Sequence, residues 1–69
     1  MPGFPERLKQ ARKEKKLTQQ DVAEHFGMAA RSYRYWESGE REPSVANLVA
    51  LADLLDVSLD WLTGRTDDR

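Results

Sequence analysis

The sequence predicts an all-α fold. Val and Ile are rare and no segment alternates apolar and polar residues with a period of two, so nothing reads as a strand. Turn signals fall at short, regular intervals, at Gly27, at Gly39 with Pro43, and at Gly64, and they cut the chain into helix-length pieces. At 69 residues the chain is one domain, 1–69, with no internal repeat and no linker. A domain this small buries a smaller share of its surface than a large one, so its core must be closely patterned.

The first helix is expected over about residues 5–15. Pro5 suits a first helical turn, where its missing N–H costs nothing. Leu8 and Ala11 then share a face, with Phe4 a turn earlier. The second helix follows in LTQQDVAEHF. Thr18 is a good N-cap, and Asp21 places negative charge in the first turn, where the helix dipole favours it. Val22, Ala23 and Phe26 recur at helical spacing, and Gly27 ends the helix where a left-handed residue is wanted. The third helix must start almost at once, near Ala29 or Ala30, and run to about Glu37. The loop SGEREP separates it from a fourth, VANLVALADLL, capped by Ser44. Val45, Leu48, Val49, Ala52 and Leu55 lie on one side of that helix, and Leu51 and Leu54 spill onto a second, so it reads as buried between neighbours. Ser58 caps a short last helix, LDWLT, and the tail RTDDR, 65–69, reads as frayed.

Composition excludes several classes. There is no cysteine, hence no disulfide framework or thiolate metal site, and the lone His25 makes no metal site by itself. No apolar run is long enough for a membrane span and no signal-peptide core is visible, so a cytoplasmic domain without metal or cofactor is the expectation. No nucleophile–base pair, phosphate-cradling glycine loop or focused carboxylate pair points to an enzyme, and no small-molecule substrate is evident. Net charge is −1, but its distribution is uneven: residues 1–43 carry nine Lys/Arg and seven Asp/Glu, residues 44–69 two and five. Arg7 to Lys16 holds six basic residues and one acid, which suits either a polyanion-facing side or a plain solvated helix face.

Gln19–Phe26 and Ala30–Glu37, joined through Gly27-Met28-Ala29, form a helix-turn-helix over about 19–37. Ala23 is small enough for the helices to approach closely, Gly27 permits the sharp turn, and Met28 can plug inward. Tyr33 and Trp36, three apart, face the first helix of the pair. Trp36 and Trp61 each sit on the apolar side of their helix, which favours core over ligand stacking. His25 should face solvent.

LTQQDVAEHFGMAARSYRYWESGEREPS resembles the lambda-repressor-like helix-turn-helix domain of phage repressors and Xre-type bacterial regulators. The resemblance extends to RLKQAR before it and ANLVALADLLDVSLDWLTG after it, about residues 6–64. Its motifs are TQ opening helix two, A-x-x-x-G, W-E-x-G closing helix three, P-S, and the D-W-L-x-G ending. It implies a compact five-helix bundle whose third helix enters the major groove of double-stranded DNA while the second crosses above the backbone. It also implies a sequence-specific transcription regulator, chiefly a repressor, acting as a homodimer on an inverted repeat in the bacterial cytoplasm.

By the same resemblance, Gln19 would donate to a phosphate and buttress the recognition helix. Ala30, Arg31, Arg34 and Tyr35 would occupy its outward positions, with Ser38 at its end and Arg41 in the loop beyond. Arg31 suits a bidentate bond to guanine, with a phosphate-bound or solvated arginine as the alternative, and Ala30 suits a thymine methyl. Arg34 suits phosphate better than base, and Tyr35 either bonds phosphate or simply covers Trp36. Arg12 and Glu37 would form a structural salt bridge. Two departures stand out. Ala29 replaces the usual Ser or Thr cap of helix three, worth about 1 kcal/mol. Glu40 and Glu42 flank Arg41 and would repel phosphates. Both point to modest affinity per monomer, or to reliance on dimerisation and low salt. The competing reading is a helical protein-interaction module with little DNA binding, which the acidic loop and acidic C-terminal half favour. The last helix carries more apolar residues than so short an element needs, so Leu59, Trp61 and Leu62 are candidates for either a dimer surface or core closure.

Overall fold

The computed structural model describes Met1 and residues 3–69. Its five helices are α1 (Phe4–Glu14), α2 (Gln19–His25), α3 (Ala30–Ser38), α4 (Val45–Leu55) and α5 (Leu59–Leu62), with no strand among the described residues. Among the described residues no helix is long and apolar enough to cross a membrane.

Local chemistry sets the boundaries. Gly3 precedes α1 in the left-handed region, and Pro5 lies in the first turn. Thr18 and Asp21 form a reciprocal capping box on α2: the Asp21 N–H donates to Thr18 Oγ1 (3.0 Å) and the Thr18 N–H to Asp21 Oδ2 (2.8 Å). Ser44 and Ser58 accept from Asn47 N–H and Trp61 N–H, as caps of α4 and α5. Ala29 has the extended backbone of an N-cap but no side-chain acceptor, so α3, like α1, starts without the side-chain bond that caps α2, α4 and α5. Gly39 ends α3 at φ 83°, a conformation that strains any residue with a Cβ, and an added Cβ would also meet Pro5 Cγ at 3.3 Å.

The core draws Phe4, Leu8 and Ala11 from α1, Val22 and Ala23 from α2, and Tyr33 and Trp36 from α3. Leu48, Leu51, Ala52 and Leu55 come from α4, and Trp61 and Leu62 from α5. Met28 packs against this cluster from the α2–α3 turn, with Phe26 and Leu17 beside it.

Two expectations need correction. The α4 stripe is centred on Leu48, Leu51 and Leu55, so Val45 and Val49, read as core, rotate out to 74 % and 42 % exposure. Spacing alone could not say which of two overlapping apolar stripes the neighbours would cover. The tail, read as frayed, lies back across α1. Arg7 Nη1 donates to Trp61 O (2.6 Å) and Thr66 O (2.5 Å), and its Nη2 to Asp67 Oδ1 (2.7 Å). Arg69 pairs with Glu14, and both Arg7 and Arg69 stack on the Trp61 ring, at 5.0 and 4.3 Å from its centroid. Trp61 and Leu62 are buried and close the core, whereas Leu59 is 37 % exposed.

A candidate nucleic-acid interface

The α2–α3 corner is tight. Phe26 caps α2, and Gly27 follows in the left-handed region at φ 66°. The Met28 N–H then reaches back to Ala23 O (3.0 Å), which also accepts from the Phe26 N–H (3.1 Å). Ala23, fully buried, lets the two helices come together. The aromatic rings beneath are locked edge to face, Phe26 on Trp36 and Tyr33 on Trp36, each with centroids 5.9 Å apart.

This packing divides α3 into two faces. Tyr33 and Trp36 are buried, while Arg31 and Arg34 are exposed. Ala30 is half-buried and packs partly against the core, so only part of its methyl is left to face outward. Tyr35 is half-buried and is covered by a partner the sequence did not reveal: the Arg41 guanidinium lies 4.7 Å from its ring centroid. The loop is folded to bring them together. The Arg41 N–H donates to Tyr35 O (3.2 Å), Ser38 Oγ donates to the same oxygen (3.2 Å), and the Glu40 N–H donates to Ser38 Oγ (3.3 Å). Ser38 is therefore engaged in shaping the loop. Glu42 is drawn to the Met1 amino group at 2.6 Å, which leaves Glu40 as the loop acid without an ion pair among the described residues. Arg31, Arg34 and Arg41 have no carboxylate partner among the described residues.

Glu37 fixes how this face is presented. Its carboxylate, 5 % exposed, accepts from Arg12 Nε (2.6 Å) and Nη2 (3.2 Å), from Gln19 Nε2 (3.1 Å) and from the Tyr33 hydroxyl. Arg12 Nη1 donates to Leu17 O (2.8 Å), at the entry to α2. One carboxylate thus ties α3 to α1 and α2 together. Burial pushes the Glu37 carboxyl up, but the bonds from Arg12, Tyr33 and Gln19 overcome this and hold it below its ordinary value of 4.5. The Tyr33 phenol is pushed up, first by burial and then by its bond to the Glu37 carboxylate. Glu37 also raises the Arg12 guanidinium, so the pair stays ionised.

The Arg12–Glu37 pair expected from the sequence is present, with two donors it did not foresee. Tyr33 stands four residues before Glu37, a spacing at which helical side chains meet, so that contact was open to sequence reasoning. Gln19 was not, because its contact depends on how α2 crosses α3. Its amide reaches Glu37 with one N–H, which leaves the second N–H and the carbonyl oxygen for another partner.

The helix-turn-helix family model matches residues 8–62. Over 59 residues the chain is 48 % identical to the uncharacterised HTH-type transcriptional regulator YqaE of Bacillus subtilis, covering 86 % of this chain and 51 % of that protein. It is 46 % identical over 65 residues to the HTH-type regulator YobD of the same organism, covering 94 % and 58 %. With the cryptic phage CTXphi transcriptional repressor RstR of Vibrio cholerae it shares 45 % identity over 60 residues, 87 % of this chain and 54 % of the repressor. The chain therefore spans about half the length of the curated relatives it matches. No solved structure matches it. With that match across the bundle, and a glycine-turned helix pair at its centre, the chain belongs to the lambda-repressor-like helix-turn-helix family.

Proposed function

We propose that the chain is the DNA-binding part of a sequence-specific transcription regulator, acting as a repressor in the bacterial cytoplasm. In this reading α3 enters the major groove of duplex DNA, and two copies bind an inverted repeat with half-sites about one helical turn apart. The observation that carries it is the outward face of α3: Arg31 and Arg34 stand exposed, without carboxylate partners among the described residues, on a helix held to α1 and α2 by Glu37.

Roles follow from position. Arg31, one residue inside α3, reaches a guanine edge bidentately. Ala30 offers a thymine methyl what remains of its exposed surface. Arg34 and the stacked Tyr35–Arg41 pair contact phosphates, which orient the helix without reading sequence. Gln19, steadied by Glu37, gives its remaining N–H to a phosphate beside the first turn of α2. Ser38 acts through the loop, holding Arg41 in place.

Selection of bound duplexes from a random pool tests this at low and moderate salt. Enrichment of an inverted repeat supports the dimeric regulator, and a lone half-site would replace it with a monomeric reader. No enrichment at either salt would overturn DNA binding in favour of a protein-interaction module.

A further inference from the structure

Residues 65–69, RTDDR, lie across the seam between α1 and α5, yet they carry no apolar side chain to bury there. What holds them differs in kind from what holds the helices. The Arg65 N–H donates to Asp60 O (2.8 Å), and beyond that bond the segment makes no backbone–backbone hydrogen bond among the described residues. Two clamps on α1 do the rest. At one, Arg7 donates from Nη1 to Thr66 O (2.5 Å) and from Nη2 to Asp67 Oδ1 (2.7 Å). At the other, Arg69 donates from Nη2 to Glu14 Oε2 (2.9 Å) and from Nη1 to Glu14 Oε1, with its guanidinium 4.3 Å from the Trp61 ring centroid.

The spans match. Arg7 and Glu14 are two helical turns apart, about 10 Å along α1, and an extended chain covers that distance in about three residues, the separation of Thr66 from Arg69. Both clamps reach water, since Asp67, Glu14 and Arg69 are exposed and Arg7 is half-buried. Salt screens exposed pairs of this kind, whereas burial in the core is not screened. The segment is therefore held by forces that ionic strength weakens, against a body held by forces that it does not. It is also joined to α5 through one group: Arg7 Nη1 donates both to Thr66 O and to Trp61 O (2.6 Å), near the end of that helix. Ser58 Oγ, the cap of α5, donates to Asp68 O (3.4 Å).

We propose that residues 65–69 are an electrostatic strap that closes α5 against α1 and opens as one unit about Gly64–Arg65, with ionic strength setting the balance. Closed, it covers the Trp61 face on which Arg69 stacks and ties up two of the Arg7 donors. Open, it bares that face, while Trp61 and Leu62 keep α5 in the core. A segment with no apolar anchor belongs to the low-stability end of a fold, where local opening precedes global unfolding. The strap works whatever α3 binds.

The test is tryptic cleavage of the Arg65–Thr66 bond, followed by mass spectrometry from about 0.01 M to about 1 M salt. Each rate is divided by that of the matching free peptide of residues 62–69, which removes the effect of salt on the protease. A protease takes its substrate extended, which the closed strap denies to this bond, so cleavage reports the open fraction. The wild-type chain is cut more slowly than the peptide at low salt and approaches the peptide rate as salt rises. Asp67→Asn and Glu14→Gln each remove one clamp without touching the core, and each speeds low-salt cleavage about two- to fivefold while flattening the salt dependence. Glu14→Gln is the decisive variant, because its clamp holds Arg69, four residues beyond the bond that is cut. Wild-type cleavage at the peptide rate at every salt would overturn the strap. Protection that salt leaves unchanged would overturn its electrostatic closure. A wild-type rate in Glu14→Gln would overturn the opening as one unit.

Discussion

Arg31 stands one residue inside α3, exposed and with no carboxylate among the described residues to hold it, and the proposed reading gives its guanidinium a base edge. Arg31→Ala should relax preference at a single base pair by about 1–3 kcal/mol. Competition binding against single-position operator variants measures this, and uniform weakening would make Arg31 a phosphate contact. Tyr33 poses a different question, because its ring packs in the core while its hydroxyl serves Glu37. Tyr33→Phe keeps the ring and removes one bond to a charged acceptor, for a loss of about 1.5–3 kcal/mol. Such a loss is large for a domain of this length, whose total stability is about 3–10 kcal/mol. Urea unfolding reads it as a lowered midpoint; an unchanged midpoint would mean that Arg12 and Gln19 satisfy the carboxylate without Tyr33. At this scale the sequence showed which residues matter better than how they meet. Arg12 and Glu37 were visible as a pair through the family resemblance. The convergence of Gln19 on the same carboxylate, and of Arg41 on Tyr35, depends on helix crossing and loop path, which no local pattern records.

Helix α3 is the element most exposed to a single substitution at its start. Ala29 already has the backbone of an N-cap, φ −69° and ψ 146°, and lacks only an acceptor for the first turn. Ala29→Ser should add about 1 kcal/mol. In a domain of this size that raises the Tm by about 4–8 °C, readable by thermal circular dichroism. No gain would mean that the first-turn N–H groups of α3 are already satisfied by water. Helix starts and stops were the most legible part of the fold, because capping is local chemistry: Thr18, Ser44 and Ser58 were all identifiable from type and position. Helix α4 shows where that legibility ended. Its apolar residues wrap around more than half of the cylinder, so the side facing the core was decided by α5 and the rest of the bundle. Val45 and Val49 were left outside.

Across the whole molecule, the buried ion-pair cluster sets the response to pH. Glu37 in the fold holds its proton less readily than in the unfolded chain, so its stabilisation is complete above pH 4.5 and is lost as pH falls below that value. Asp21, lowered by its bonds with Thr18, and Glu14, lowered by Arg69, contribute to the same acid limb. Tyr33 has the opposite sign: its contribution is complete below pH 10.0 and declines as pH rises beyond it. Thermal unfolding should therefore show a plateau between these limits. The Tm of Glu37→Gln should lie below wild type on the plateau and approach it in acid; curves that stay parallel would remove Glu37 from the acid response. The tail gives a second molecule-wide prediction. Deleting residues 65–69 should lower the Tm, more at low salt than at high, whereas a frayed tail would leave it unchanged. Tail-to-α1 contacts join residues more than fifty positions apart, which is why the polar run RTDDR read as frayed. The Arg7 and Arg69 stack on Trp61 also has an optical consequence. The protein has two tryptophans, and they report on different places: Trp61 on the closure of the tail, Trp36 on the helix pair beneath the exposed face of α3. Their combined emission is thus two overlaid signals, and release of the tail would move the Trp61 share while the Trp36 share kept its wavelength.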